Sequence, residues 1–363
     1  MTGFEANYSW LDRLVHNLAM GQLDMQKSLS GSEDKKFDQE NQDITGDAPV
    51  FITSLPRAGT TLLLEVIADL PNFVSHTYRD LPFILAPLTW DRISKSFRKD
   101  ATEQERAHGD GMMVSYDSVE AFEEVLWRAF WKPHFKKDRV TVWQESEKDE
   151  FNEFPAFLRQ HMRKMIALGR KRQDNQQINR YVSKNNANIA RISWLTKNFP
   201  DARIMIPYRD PMAHLGSLMR QHSRFLEEHE TNKFGLRYME TIGHLEFGKA
   251  LRPIDFNGWI DSADKLDRIA PDFWATYWLA AFEDILKQAG PQVSLFSYDA
   301  LCAAPADNLP KIAEAIGEPA ARLLEAKDRF RAPTPYAPLD GLSPALSDRV
   351  SAMMDKLTAA SAF

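Results

Sequence analysis

The fold is decided by the segment Pro49-Val-Phe-Ile-Thr-Ser-Leu-Pro-Arg-Ala-Gly-Thr-Thr-Leu-Leu-Leu64. Its β-branched and aromatic start predicts a short buried strand. A turn containing Arg57 and Gly59 follows, and an apolar helix is predicted from about Gly59 to Leu70. A strand that enters a helix through a glycine turn presents free backbone N–H groups and the positive end of the helix dipole together. The segment therefore predicts an anion site, where Gly59 permits close approach and Arg57 adds a charge.

Further short apolar segments alternate with helical patterns along the chain. Strands are predicted around 72–76, 140–144, 178–183, 202–208 and 293–298, with a helix near 187–198 and a long helix opening at Pro211. This alternation is typical of βαβ units, in which helices cover both faces of a parallel sheet. The predicted fold class is α/β, with a parallel sheet and its flanking helices arranged in three layers.

The predicted domain organisation has three parts. Residues 1–48 form an N-terminal extension, in which an amphipathic helix over Tyr8–Ser30 precedes a charged linker or exposed loop over 31–47. Residues 49–330 form the main domain, and residues 331–363 form a C-terminal loop and helix. The amphipathic helix is expected to pack on the main domain or on a second copy, so a homodimer through it is an open prediction.

Composition excludes several classes of protein. The 363 residues include 45 basic and 51 acidic side chains, and the net charge of −6 argues against nucleic-acid binding through bulk charge. The single cysteine, Cys302, excludes an internal disulfide and a cysteine-based zinc site. No apolar run is long enough for a membrane span, and the start of the chain does not have the pattern of a secretory signal. A cytoplasmic location is expected. Basic clusters at 163–164 and 170–172 are interpreted as solvated faces.

The turn at residues 56–62 resembles a motif of a known family. Its sequence, Pro-Arg-Ala-Gly-Thr-Thr-Leu, is similar to the 5′-phosphosulfate loop of sulfotransferases that use 3′-phosphoadenosine 5′-phosphosulfate (PAPS). That family motif reads Pro-[Lys/Arg]-Ser-Gly-Thr-Thr, so Ala58 alone departs from it. The resemblance implies a P-loop-NTPase-like sulfotransferase fold and PAPS as sulfuryl donor without a metal. It also implies a 5′-phosphosulfate site formed by Arg57, Ala58, Gly59, Thr60, Thr61 and Leu62.

A second motif resembles the 3′-phosphate site of the same family. The predicted strand at 202–208 ends at Arg209, Asp210 can cap the next helix, and Pro211 suits its first position. The family has an Arg at this strand end and a Ser eight residues later, and Ser217 occupies the second place here. The family's Tyr-x-x-Leu after the last strand is present as 298–301. The resemblance implies that Arg209 and Ser217 bind the 3′-phosphate.

The catalytic residues are predicted from the same resemblance. Lys184 ends a predicted strand where the family commonly has a Lys that reaches the sulfuryl group. Many members carry a His two or four residues later, whereas this chain has Asn186 and Asn188, which cannot accept a proton. A general base is therefore sought after the second strand, where His76 and Asp80 are both candidates.

The predicted reaction is transfer of a sulfuryl group from PAPS to an acceptor hydroxyl, which releases 3′-phosphoadenosine 5′-phosphate (PAP). A small molecule, a lipid or a glycan remains open as acceptor, and Glu123, Glu124 and Trp127 are open as its lining. One alternative is a P-loop-type nucleotide-dependent kinase, which is disfavoured because Thr60 stands where a Walker motif has Lys. The other is a non-catalytic protein that binds PAPS or another nucleotide.

Overall fold

A parallel β-sheet of five strands forms the centre of the molecule. The computed structural model describes residues 19–94, 104–105, 113–114, 118–148, 152–263, 266–332 and 339–363. The strands of these residues are β1 (Val50–Ile52), β2 (Phe73–Val74), β3 (Gln104–Glu105), β4 (Met113–Val114), β5 (Val140–Thr141), β6 (Arg180–Lys184), β7 (Arg203–Tyr208), β8 (Ile254–Asp255) and β9 (Val293–Ser297).

The central sheet has the spatial order β2-β6-β1-β7-β9, and each neighbouring pair in it is parallel. Strand β1 lies in the middle, where Phe51 pairs with Ser183 on one side and with Ile204 on the other. All three residues of β1 are buried. Because parallel strands place their carboxyl ends at one edge, the residues that follow β1, β6 and β7 meet there.

Helices cover both faces of this sheet. The helices of the described residues are α1 (Leu23–Glu40), α2 (Thr60–Ala68), α3 (Pro87–Ser94), α4 (Glu124–Phe130), α5 (Phe154–Gln173), α6 (Ile192–Asn198), α7 (Pro211–Thr231), α8 (Lys233–Ile242), α9 (Trp259–Ala263), α10 (Pro271–Lys287), α11 (Tyr298–Ala303), α12 (Pro305–Ile316), α13 (Ala320–Leu324) and α14 (Pro344–Ala360). They alternate with the strands of the sheet, so the predicted α/β class is confirmed.

The core is divided by the sheet into two apolar clusters. Val50 and Ile52 point into the cluster that contains α2 and α12. Phe51 points the other way, into the larger cluster that contains α5 and α10. Successive side chains of a strand face opposite sides of a sheet, so this division is the three-layer arrangement expected from the sequence.

The predicted linker over 31–47 is wrong for most of its length, because α1 continues to Glu40. The face of α1 that is buried is mainly polar, with Gln26, Ser30, Glu33 and Phe37 turned inward. Lys164 lies fully buried beneath it, 3.1 Å from Glu33 and within hydrogen-bond distance of Ser30. Because the buried face of α1 is polar, its sequence shows no apolar periodicity. The prediction that 163–164 form a solvated face is also wrong for Lys164, which is buried.

Other predicted elements differ in place or extent. The segment 140–144 contributes only β5, which pairs with β8 in a separate two-stranded sheet. The predicted helix 187–198 is split into a 3-10 turn, Asn186–Ala190, and α6. Residues 8–18 of the predicted amphipathic helix and the loop 333–338 lie outside the described residues. In the parts of the chain that are described, no helix is both long and apolar enough to cross a membrane.

Candidate active site

The anion loop lies between β1 and α2 at the carboxyl edge of the sheet. Gly59 is the N-cap of α2 with φ of 87°, and Arg57 also has a left-handed φ of 71°. Thr60 is buried, whereas Thr61 and Leu62 are half-buried in the first turn of the helix. Left-handed residues at a helix start turn successive N–H groups toward one point, which makes a concave site for an anion.

Tyr298 packs directly against this loop. A Cβ atom added to Gly59 would lie 2.2 Å from Cε2 of the Tyr298 ring. Burial also raises the pKa of Tyr298, so its hydroxyl stays protonated. The loop is therefore supported by the first residue of the Tyr-x-x-Leu segment, and position 59 requires glycine both for its φ and for the space.

The two motifs singled out in the sequence meet in the structure. The Arg57 Nε atom donates a hydrogen bond to Oγ of Ser217 on α7, over 3.2 Å. Arg209, at the end of β7, donates from Nη1 to the Arg57 carbonyl oxygen over 3.2 Å. The loop after β1 and the segment after β7 thus form one site rich in hydrogen-bond donors and positive charge.

Asp299 holds the second motif in place and was missed in the sequence. Its Oδ1 atom accepts a hydrogen bond from Arg209 Nε at 3.4 Å, and its Oδ2 accepts one from the Asp210 backbone N–H at 2.6 Å. Asp210 caps α7 as expected, with Oδ1 accepting from the Ala213 N–H at 3.0 Å. The signal for Asp299 was its position immediately after Tyr298 in the recognised segment.

Lys184 ends β6, and Asn186 follows it beside the loop. The Lys184 side chain is largely buried at the end of the strand. Asn186 contacts the loop twice, because its backbone oxygen accepts from Thr53 Oγ1 at 3.2 Å and its Oδ1 accepts from Thr60 Oγ1 at 3.4 Å. Its Nδ2 donates to Glu246 Oε1 at 3.1 Å. The segment after β6 is therefore fixed to the anion loop.

Buried acidic and amide side chains form a hydrogen-bond network that holds the segment after β6. Glu124 accepts two hydrogen bonds from Arg191, at 2.6 and 2.7 Å, and one from Asn185 Nδ2 at 2.7 Å. The Arg191 guanidinium lies 4.3 Å from the Trp127 ring centroid and 4.2 Å from that of Trp143. Such stacking and bidentate pairing compensate the charge of Arg191, which is fully buried.

Glu123 belongs to the same network. It accepts hydrogen bonds from Asn188 Nδ2 at 2.8 Å and from Trp127 Nε1 at 3.0 Å, and a short one from Ser183 Oγ. Glu123 and Trp127 are fully buried, so these two residues, which were open as acceptor lining, lie in the protein interior. Glu124 alone of the three also borders the cavity beside the loop.

That cavity is small, with a volume of about 30 Å³, and lies next to the anion loop. Its lining includes Pro56 of the loop and the polar residues Asn186, Glu124, Glu246, Arg252 and Tyr277. Burial raises the pKa of Tyr277, whose hydroxyl accepts from the Ile254 N–H at 3.2 Å. The cavity offers a mixed polar and apolar surface to a molecule placed against the loop.

A comparison with protein families shows to which family the chain belongs. The model described as "Sulfotransferase family" matches residues 49–246, which include the loop, Lys184 and Ser217. The chain belongs to the sulfotransferase family. The match starts just before β1 and ends at Glu246, so it covers the three strands whose carboxyl ends form the candidate site.

Solved sulfotransferases are similar to this family member. The chain is 16% identical to the sulfotransferase STF1 of Mycobacterium tuberculosis H37Rv, over 89% of this chain and 81% of that one, with a TM-score of 0.46. It is 17% identical to STF9 of Mycobacterium avium, over 92% and 84%, with a TM-score of 0.47. A sulfotransferase of Alicyclobacillus acidocaldarius is 13% identical, over 86% and 93%, with a TM-score of 0.40. The search of curated proteins found no match.

The two candidate bases of this sulfotransferase lie in the interior. Asp80 is fully buried, where its Oδ2 accepts from the Thr77 N–H at 2.8 Å and its Oδ1 pairs with Arg172 at 2.8 Å. His76 is also buried, with Nε2 3.1 Å from Nε2 of His161. Burial lowers the pKa of His76. Neither side chain lines the cavity beside the loop.

The part of this sulfotransferase that the structure describes contains no group of three or more His, Cys, Asp or Glu residues arranged to hold a metal ion. The acidic residues at the site are instead occupied by protein donors. Asp299 holds Arg209, and Glu124 holds Arg191. These pairs fix cationic side chains in place around the anion loop.

His214 connects α7 of this sulfotransferase to the loop. Trp278 Nε1 donates to His214 Nδ1 at 3.3 Å, which leaves Nε2 as the protonated nitrogen that donates to the Pro56 carbonyl oxygen at 2.8 Å. Burial, together with the nearby Arg209 and Arg57 charges, lowers the pKa of His214 to about 4, although the hydrogen bond to Pro56 raises it. Above that pH, His214 therefore anchors the loop as a neutral imidazole.

The depressed pKa of His214 predicts a loss of stability in mild acid. Unfolded His takes up a proton near pH 6.5, whereas folded His214 does so only near pH 4, so stability falls as the pH drops between these values. Within that window, protonation of His214 in the unfolded state alone lowers the free energy of unfolding by about 1.4 kcal/mol per pH unit. We expect His214→Gln to show a shallower fall in unfolding free energy between pH 7 and 5 in urea titrations. Equal slopes for the two proteins would contradict this role.

Proposed function

We propose that this sulfotransferase transfers a sulfuryl group from PAPS to an acceptor hydroxyl and releases PAP. The observation that supports this is the hydrogen bond between Arg57 and Ser217, which joins the loop after β1 to the helix after β7. PAP has phosphates at both its 3′ and 5′ positions, so a protein that binds it needs two phosphate sites at a fixed separation. The donor set on these two elements suits that requirement.

Residues of the loop are proposed to bind the 5′-phosphosulfate. Backbone N–H groups from Ala58 to Leu62 lie at the start of α2, and the Thr61 hydroxyl adds a donor. The Thr60 backbone N–H belongs to this set, while its hydroxyl donates to Asn186. PAPS supplies the sulfuryl group, whose charge Arg57 and Lys184 would compensate as it is transferred. Such fixed donors stabilise developing charge without reorganising during the reaction.

Arg209 and Ser217 are proposed to bind the 3′-phosphate. Both are half-buried, Arg209 is oriented by Asp299, and Ser217 already contacts a guanidinium. A positioned Arg and a hydroxyl form charge-assisted hydrogen bonds to a phosphate. This site would distinguish PAP from ADP, which lacks the 3′-phosphate.

Calorimetric titration with PAP, and with ADP and ATP as controls, tests the proposal. We expect PAP to bind much more tightly than ADP, and Arg57→Ala to weaken PAP binding by about 10- to 100-fold, as for loss of a charged hydrogen bond. Ser217→Ala is expected to weaken it by about five- to tenfold. Ser223→Ala and Arg203→Ala, both at exposed positions, are matched controls that should bind as wild type.

Binding of ATP without binding of PAP would contradict the proposal and favour the kinase alternative. Binding of PAP without turnover of PAPS would favour the non-catalytic alternative. The acceptor is proposed to be a small molecule or glycan that binds against the residues lining the cavity beside Pro56, and labelled PAPS can identify it. A cytoplasmic location is proposed as well, since the single cysteine cannot form an internal disulfide. A homodimer through the N-terminal helix stays a prediction.

A further inference from the structure

The position two residues after Lys184 has no group that can accept a proton. The family resemblance implies His at this position in many sulfotransferases, whereas this chain has Asn186. The structure shows what this amide does instead. Its oxygen accepts from Thr60 of the anion loop at 3.4 Å, and its nitrogen donates to Oε1 of Glu246 at 3.1 Å. One side chain thus connects the loop to a carboxylate in the cavity.

Glu246 differs from the other acids around the cavity and the loop. Glu123 is fully buried, and Glu124 is held by two hydrogen bonds from Arg191. Asp299 is paired with Arg209. Glu246 is half-buried, lines the cavity, and forms no ion pair with any residue of the described chain. Its carboxylate is therefore accessible from the cavity while one oxygen is fixed by Asn186.

We propose that Glu246 is the general base that deprotonates the acceptor hydroxyl. The inference rests on the proposed sulfuryl transfer and assigns a residue to that same site. The two candidates after β2, His76 and Asp80, are buried and have other partners, so they do not offer a proton acceptor to the cavity. A carboxylate that is held by a neutral amide keeps its negative charge available for a proton.

The reaction step balances with this assignment. The acceptor oxygen forms a bond to sulfur, and its proton passes to the Glu246 carboxylate. The bond between sulfur and the 5′-phosphate oxygen breaks, and its electron pair leaves with PAP. Arg57 and Lys184 compensate the negative charge on the phosphate side. Glu246 acts on the acceptor side, because Asn186 lies between it and Thr60 of the anion loop.

The test compares Glu246→Gln and Glu246→Ala with wild type. Release of PAP from labelled PAPS is measured with water, glycerol and phenol as probe acceptors, and PAP affinity is measured by calorimetry. We expect Glu246→Gln to reduce turnover by about 100-fold or more, the range for loss of a general base, with PAP affinity unchanged. Formate is expected to restore part of the activity of Glu246→Ala, because it can occupy the space of the missing carboxylate. Glu227→Gln, at an exposed position on α7, is the matched control and should turn over as wild type.

The outcomes separate the two proposals. If wild type fails to bind PAP, the proposed function itself is wrong. If wild type binds PAP but Glu246→Gln retains its turnover, only the assignment of the base is wrong. If wild type binds PAP but turns over none of the three probes, the proposed sulfuryl transfer is wrong and the base assignment falls with it. Absence of rescue by formate in a folded Glu246→Ala protein would overturn the base assignment alone.

Discussion

Replacement of Arg191 by Met is expected to lower the free energy of unfolding by about 3–5 kcal/mol. Arg191 is fully buried, and its guanidinium forms both hydrogen bonds of a bidentate pair with Glu124. Methionine keeps much of the volume between the Trp127 and Trp143 rings, but it leaves the Glu124 carboxylate buried without its cation. Urea denaturation, read as the shift of the midpoint at constant slope, measures the loss.

A double-mutant cycle identifies the cause of that loss. Glu124→Gln added to Arg191→Met removes the uncompensated charge, so the double variant should be less destabilised than the sum of the single changes. Arg203→Met, at an exposed strand position, is the control and should change stability by less than about 0.5 kcal/mol. A loss below about 1 kcal/mol for Arg191→Met would contradict the importance of the buried pair.

Gly59→Ala is expected to lower the free energy of unfolding by about 2–5 kcal/mol and PAP affinity by about 100-fold or more. An alanine at φ of 87° costs about 1–2 kcal/mol, and its Cβ would lie 2.2 Å from the Tyr298 ring, for which overpacking costs about 1–3 kcal/mol more. Relief of the clash would move the N–H groups at the start of α2 away from the positions proposed to bind the phosphosulfate. Urea denaturation and calorimetry with PAP measure the two effects.

Two further variants separate strain from crowding at this position. Gly59→Ala combined with Tyr298→Ala removes the clash but not the left-handed backbone, so it should recover part of the PAP affinity. Gly290→Ala is a suitable control because no atom beyond the chain neighbours lies within 4 Å of its added Cβ. Wild-type PAP affinity in Gly59→Ala would show that the loop does not depend on this glycine.

The sheet and the two motifs proposed to bind the cofactor were predictable because their signals are local. Strand β1, and β7 from Ile204 onward, are continuous buried segments, as expected for parallel strands covered on both faces. The anion loop is likewise contiguous, and Arg209, Asp210 and Ser217 follow one strand in order. In each case the residues that make the feature are close together in the sequence.

Features made by distant residues were not predictable in this way. Helix α1 buries polar side chains, and its ionic partner Lys164 lies on α5, so neither segment shows the pattern of a buried element. Arg191 pairs with Glu124, 67 residues away. Glu246 likewise meets Asn186 across 60 residues. His76 and Asp80 were suggested by their place after β2, but their burial depends on α5 packing above them.

The position of β1 in the middle of the sheet has a consequence for folding during synthesis. Thr53, at the end of this strand, hydrogen bonds to Asn186, 133 residues later in the chain. Arg57 meets Ser217 only after 160 residues. Contacts of such long range form slowly, because the entropy of closing the loop must be overcome first. While the chain grows, β1 and α2 therefore leave the ribosome long before their partners. Their apolar faces stay exposed to aggregation until β6 and β7 have been synthesised.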